Sequence, residues 1–251
     1  MPMFRRTALA ALAPFALGPL ALTLAACGSD AEGPIKGEPI APIAAPAGQS
    51  WVETAVETPE GGILLGNPDA PIKLVEYISH TCPACAAFAA EAAEPLKAKY
   101  VASGVVSYEM RNQIHNALDL ALVKLTRCIG PQAAIPLAEQ VWANLPQIMT
   151  PVQQDPQVIE RSMALPEAQR SPALAQGTGL TDFFAARGIA VDQQTQCLSD
   201  FAAIQAVAQQ SETQSEELNV TGTPTFILNG RNIGSLGWAE VEANLQNAGA
   251  R

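Results

Sequence analysis

Ile72-Lys73-Leu74-Val75-Glu76-Tyr77-Ile78 is an apolar run that hands over, after three residues, to Cys82-Pro83-Ala84-Cys85. The run reads as a buried strand. The alanine-rich stretch from Pro83 to about Tyr100 reads as a helix, ended near Gly104. Two cysteines two residues apart, where a strand passes into a helix, form a redox pair more often than a metal site. A second signal lies far downstream in Thr223-Pro224-Thr225-Phe226. A proline inside such a strand-like run is excluded from a central strand unless its peptide bond is cis and it packs against something that needs it.

Working outward, Val105 to Met110 reads as a third strand, so strand, helix and strand make a βαβ unit. Upstream, Trp51 to Thr58 alternates like an edge strand, followed by turn signals at Gly61, Gly62 and Gly66-Asn67-Pro68-Asp69. From residue 113 to 219 there is no strand pattern. Leu118, Ala121, Leu122, Leu125 and Cys128 recur at helical spacing, and seven prolines from Pro131 to Pro172 are expected to chop the next stretch into short helices. A longer helix with Phe201, Ile204 and Ala208 on one face follows. Thr225 to Leu228, the Asn229-Gly230 turn and a short strand at Asn232-Ile233 read as a hairpin, and a last helix runs from about Trp238 to Gln246. The expectation is an α/β domain in two parts, residues 51–112 and 220–251, interrupted by a helical subdomain over 113–219.

Cys82 falls at the N-cap of its helix, with Pro83 at the first helical position, where a missing N–H costs nothing. Orphan amides and the positive dipole end then favour thiolate over thiol. Drawing a thiol from about 8.5 to about 7 requires roughly 2 kcal/mol of preference for the thiolate. The dipole supplies about 0.3–1 kcal/mol, so hydrogen bonds within the motif supply the rest. Cys85, one turn inward, is placed to resolve a mixed disulfide. A zinc site would need a second cysteine pair or histidines at ligand spacing, and the chain has only His80 and His115. His80 reads as an exposed loop residue and His115 as a helix-start residue.

The stretch from Leu65-Gly66-Asn67-Pro68-Asp69-Ala70-Pro71 through Leu74-Val75-Glu76-Tyr77 to Cys82-Pro83-Ala84-Cys85 resembles the DsbA-type thioredoxin family. The resemblance is specific over residues 60–111 and 218–235 and only positional between them. It implies a thioredoxin fold, βαβ…ββα with an inserted helical subdomain, and Cys82 and Cys85 as the redox-active centre. It also implies a buried acid six residues before the first cysteine, where Glu76 stands, passing protons to and from Cys85; an exposed strand residue is the alternative. Thr223-Pro224 matches the family's cis-proline position, with Thr223 offering contacts to a bound peptide. Ala84 stands where strongly oxidising members carry a histidine, which implies a less oxidising pair. Oxidase, isomerase and reductase stay open, with oxidase favoured.

The N-terminus sets the compartment. Arg5 and Arg6, then the apolar Ala8 to Ala26, then Leu24-Ala25-Ala26-Cys27 read as a secretory signal peptide over residues 1–26, ending like a bacterial lipobox. Cys27 would become the acylated first residue of a periplasmic lipoprotein, held on the inner or outer membrane; an ordinary cut near Ala26 is the alternative. Residues 27–50, rich in Pro, Gly and Ala, read as a tether reaching on the order of 50 Å. In an oxidising compartment cysteines pair. With Cys27 acylated and Cys82 facing Cys85, Cys128 and Cys197 remain and are expected to form a structural disulfide. Of 14 Lys and Arg, two lie in the leader, leaving 12 against 24 Asp and Glu. That acidic balance argues against nucleic-acid binding.

The sequence therefore points to a membrane-tethered thiol–disulfide oxidoreductase with no cofactor and no metal. Its partners would be cysteine-containing exported proteins and a membrane redox partner that recycles the pair. The alternative is a non-catalytic Cys-x-x-Cys binding lipoprotein, such as a periplasmic metallochaperone.

Overall fold

In the computed structural model, which describes residues 35–251, six strands form one sheet in the order β1-β2-β4-β3-β5-β6. They are β1 (Ala55–Glu57), β2 (Ile63–Leu65), β3 (Ile72–Ile78), β4 (Val106–Asn112), β5 (Thr225–Leu228) and β6 (Arg231–Gly234). Only β3 and β4 run parallel, in register from Ile72 opposite Val106 to Ile78 opposite Asn112. Their connection is the helix α1 (Pro83–Pro95), continued by a π-helical stretch over Leu96–Val101. Alternate residues of a strand share a face. Ile72, Leu74 and Ile78 therefore look toward one core, with Val106, Tyr108 and Met110 beside them and Phe88 of α1 above. Glu76 belongs to the same alternation, which is why a carboxylate in the middle of β3 is buried.

The edge of the sheet differs from the sequence expectation. Trp51–Glu53 is a 3-10 turn and only Ala55–Glu57 is strand. The Trp51 indole donates to the Ile43 carbonyl at 2.8 Å and is buried, which pulls the chain out of the extended path. Ile63–Leu65, too short a run between glycines to stand out, adds β2 between β1 and β4. The hairpin between β5 and β6 turns at Asn229 and Gly230, both at positive φ (50° and 81°), the geometry that an Asn-Gly pair favours.

The tether expected over residues 27–50 is corrected for the part the structure describes. Residues 35–50 lie along the domain: the Gly37 amide donates to the Asn247 carbonyl at 2.7 Å, Ile40 to Gly249 at 2.9 Å and Ile43 to Ser103 at 2.8 Å. Ile35 and Ile40 pack against the core. Gly37 is required where it stands, since a Cβ there would lie 2.3 Å from the Ala248 carbonyl oxygen. The signal peptide expected over residues 1–26 and the rest of the expected tether, to Pro34, lie outside the described residues.

Between β4 and β5 come eight helices: α2 (Ala117–Arg127), α3 (Pro131–Ala143), α4 (Leu145–Gln154), α5 (Gln157–Met163), α6 (Glu167–Gly177), α7 (Leu180–Ala185), α8 (Val191–Ser199) and α9 (Phe201–Glu217). Prolines open several of them, but Pro136, Pro151 and Pro172 sit inside α3, α4 and α6 rather than between helices. A second core of Leu118, Leu122, Leu125, Val141, Leu174 and Phe184 holds the group together. The insertion is not a separate body. Ala134, Ile135, Ala138 and Trp142 of α3 pack into the sheet core, while Leu137 and Val141 of the same helix pack into the second core. The last helix, α10 (Trp238–Asn247), returns to the sheet through Val241 and Leu245.

Candidate active site

Cys82 is the N-cap of α1 in extended conformation (φ −89°, ψ 118°), and Pro83 is the first helical residue. The sulfur accepts the Cys85 amide at 3.4 Å, and the Ala86 amide donates to the Cys82 carbonyl at 3.1 Å. Both cysteines are free, Cys82 with 9% of its surface exposed and Cys85 with none. From the far end of the chain the loop before β5 arrives on the other side. The Thr223–Pro224 peptide is cis, and the Cys82 thiol donates to the Thr223 carbonyl at 3.2 Å. One outer and one inner sulfur at a helix start, faced by a cis-proline loop, thus come from segments more than 130 residues apart.

A family model described as thioredoxin matches residues 58–247. The chain belongs to the thioredoxin family. Within it, a relative from Rickettsia bellii named "Putative protein-disulfide oxidoreductase" is 27% identical over 171 residues, covering 68% of this chain. The chain spans 58% of that relative's length. Among solved structures, a protein-disulfide isomerase from Novosphingobium aromaticivorans is 30% identical with a TM-score of 0.68, over 73% of this chain and 94% of that one. Wolbachia pipientis alpha-DsbA1, 21% identical with a TM-score of 0.54 over 73% of this chain and 82% of that one, shares the fold.

In this thioredoxin-family site the two sulfurs are driven apart electrostatically. Hydrogen bonding from Cys85 draws the Cys82 thiol down to about 5, helped by Thr223 and by the amides of Cys85 and Ala84, against the opposing cost of burial. Cys85 moves the other way: its bond to Cys82, its burial and the Glu76 carboxylate all hold its proton on. Glu76 lies 2% exposed and its carboxyl is pushed up to about 8, chiefly by burial. The Tyr108 hydroxyl donates to its Oε2 at 2.7 Å and opposes that shift, and the charge on Cys82 adds to it. A carboxyl poised near 8, electrostatically coupled to both thiols, can hold a proton at neutral pH and release it a little above.

His80 is not the exposed loop residue that the sequence suggests. It is fully buried, with Nδ1 3.5 Å from Asn112 Nδ2, Nε2 3.3 Å from Thr126 Oγ1 and its ring stacked on Trp142. All those partners lie downstream of β3, so its local sequence carried no sign of them. His115 stands exposed just ahead of α2, whose N-cap is Asn116. Cys128, at the end of α2, and Cys197, in α8, are joined by a disulfide of 2.03 Å. Phe201 and Ile204 lie in the next helix, α9. Among the described residues no three His, Cys, Asp or Glu side chains gather as a metal-binding group. Cys27 lies outside the described residues.

Proposed function

We propose that this chain is a periplasmic protein thiol–disulfide oxidoreductase that oxidises cysteines of exported proteins through Cys82 and Cys85, tethered to a membrane by a lipidated Cys27. The observation that carries the reading is the pair of opposed sulfurs: an outer one drawn down to about 5 and a fully buried inner one that keeps its proton. A thiolate so favoured is a good leaving group and stabilises the reduced pair, the property of an oxidant.

In the oxidising direction a substrate thiolate attacks Cys82 Sγ of the Cys82–Cys85 disulfide. The new bond joins substrate sulfur to Cys82, and Cys85 leaves with the electron pair of the broken bond. Cys85 is disfavoured as a thiolate, so a proton must reach it, and Glu76 is the buried acid at hand. A second substrate thiolate then attacks the first substrate sulfur and expels Cys82 as a thiolate. Two electrons pass from the substrate to the pair, and a membrane redox partner that accepts two electrons restores it. Thr223 and Pro224, against Cys82, would hold the backbone of the substrate during the exchange.

The leader supports export: a basic start, an apolar segment, and Leu24-Ala25-Ala26-Cys27. Refolding of a reduced, unfolded disulfide protein tests the activity. Wild type should form its disulfides catalytically and Cys82→Ser should not, whereas catalysed insulin reduction with no oxidase activity would reverse the direction assigned. Stoichiometric metal binding by the reduced pair with neither activity would establish the metallochaperone instead. Cells grown with labelled palmitate should label the wild-type chain and not Cys27→Ser.

A further inference from the structure

The loop Ser79–Thr81, which presents Cys82, is held from the helical insertion as well as by its own strand and helix. Asp119, in the first turn of α2, is fully buried, and its two oxygens accept from two different segments. Oδ1 takes the His80 amide at 2.8 Å and Oδ2 the His115 amide at 3.1 Å. His80 Nδ1 lies 3.7 Å from the same Oδ1. Asn112, which also meets His80, accepts in turn from Arg127 of the same helix. Two further side chains reach the loop. Asn116 Nδ2 donates to Thr81 Oγ1 at 3.1 Å, and Trp142 Nε1 donates at 3.1 Å to the Ser79 carbonyl. That carbonyl also accepts the Cys82 amide, at 3.3 Å.

A buried carboxylate is a poor stabilising device. Its desolvation costs several kcal/mol, and well-packed apolar groups of equal volume often serve stability better. What a two-oxygen acceptor supplies is geometry, since it fixes two N–H vectors relative to one another. The site beside it needs that. The hydrogen bonds that favour the Cys82 thiolate come chiefly from Cys85 and the first amides of α1, and they hold only if the sulfur stays within about 0.5 Å of its place. We propose that Asp119 is a positioning residue for Cys82, acting through the His80 amide, with Asn116 and Trp142 fixing the same loop at Thr81 and Ser79. The proposal rests on the reading of Cys82 as the exchanging sulfur.

The test is Asp119→Asn in the otherwise intact protein. One oxygen remains an acceptor, but the new NH2 group faces the second N–H donor, so one of the two bonds is lost. With the Cys82–Cys85 pair reduced, the pH midpoint of Cys82 alkylation should rise by about one unit, roughly tenfold in the thiolate equilibrium. Expulsion of Cys82 from a mixed disulfide should slow by about threefold, since the rate of a leaving thiolate follows about half of its pKa change. Cys128→Ala with Cys197→Ala serves as the control: it should lower the melting temperature and keep the wild-type midpoint. An Asp119→Asn protein that melts earlier yet keeps both midpoint and exchange rate would overturn the proposal. Should that variant fail to fold, Trp142→Phe keeps the aromatic ring but removes the donor to Ser79; its midpoint should move the same way by at least about twofold in thiolate equilibrium, and an unmoved one overturns the proposal equally. A wild-type midpoint near 8.5 would overturn the reading of Cys82 itself and this proposal with it, while a wild-type midpoint near 5 with unmoved variants would overturn this proposal alone.

Discussion

Cys82 and Cys85 are chemically identical side chains one helical turn apart, and only their surroundings tell them apart. Cys82 meets amide donors at the helix start; Cys85 is fully buried in the field of the Glu76 carboxyl. Alkylation of the reduced protein should therefore show a single reactive thiol with a midpoint near pH 5, absent in Cys82→Ser. The Cys-Pro-Ala-Cys spacing made the direction of the Cys82 shift legible, with about 7 as the expectation, and not its extent. The burial of Glu76 was implied by the family resemblance alone, with an exposed strand residue as the alternative; the structure buries it on the face it shares with Ile72, Leu74 and Ile78. Its consequence for stability can be measured on the oxidised protein, where Cys82 does not titrate. The folded pKa of Glu76 lies above its unfolded value of about 4.5, so folding favours the protonated acid. Stability is then undiminished below pH 4.5, falls as pH rises toward 8, and levels off above. Glu76→Gln should flatten that slope, gaining up to ~4 kcal/mol at pH 8 relative to wild type. The same variant should slow release of Cys85 in exchange. Equal pH slopes of urea unfolding in the two proteins would remove Glu76 from the role.

At the scale of elements, what the sequence could show was local. The βαβ unit, the Asn-Gly hairpin and the terminal helix follow from periodicity and turn residues within a few positions of each other. The docked arm, the short β2 and the burial of His80 depend on partners that no local window contains: the C-terminal carbonyls of Asn247 and Gly249, the neighbouring strands β1 and β4, and the side chains Asp119, Thr126 and Trp142. Pro- and Gly-rich composition argued for an extended tether, and over residues 35–50 the chain is indeed without regular structure, but Ile35 and Ile40 give it somewhere to bury. Gly37→Val should lift this arm, because its Cβ would meet the Ala248 carbonyl at 2.3 Å. The expected loss is about 1–3 kcal/mol. The Ile40 amide, bonded to Gly249, and the Ile43 amide, bonded to Ser103, should then exchange hydrogen faster, with the amides of β3 unchanged.

In the whole molecule two cores share one helix. α3 faces the sheet with Ile135, Ala138 and Trp142 and the helical core with Leu137 and Val141, so the core that holds Cys82 and Cys85 and the insertion are joined along one element. The Cys128–Cys197 disulfide ties α2 to α8 within the helical core, across a separation of 69 residues, and neither sulfur belongs to the sheet core that carries Cys82. By the chain-entropy account, a loop of that length restrains the unfolded chain by ~4 kcal/mol. Replacing both cysteines with Ala should cost a few kcal/mol, lowering the melting temperature by about 5–15 °C for a domain of this size. The loss should stay on the helical side, because α3 keeps its contacts with the sheet whether or not α8 is fastened to α2. The potential of the Cys82–Cys85 pair, measured by equilibration with glutathione, should then match wild type and lie nearer −120 mV than −270 mV. A shift of more than about 30 mV in the double variant, a ~1.4 kcal/mol change in the couple, would show that the bridge participates in setting the redox site rather than only in holding the helices.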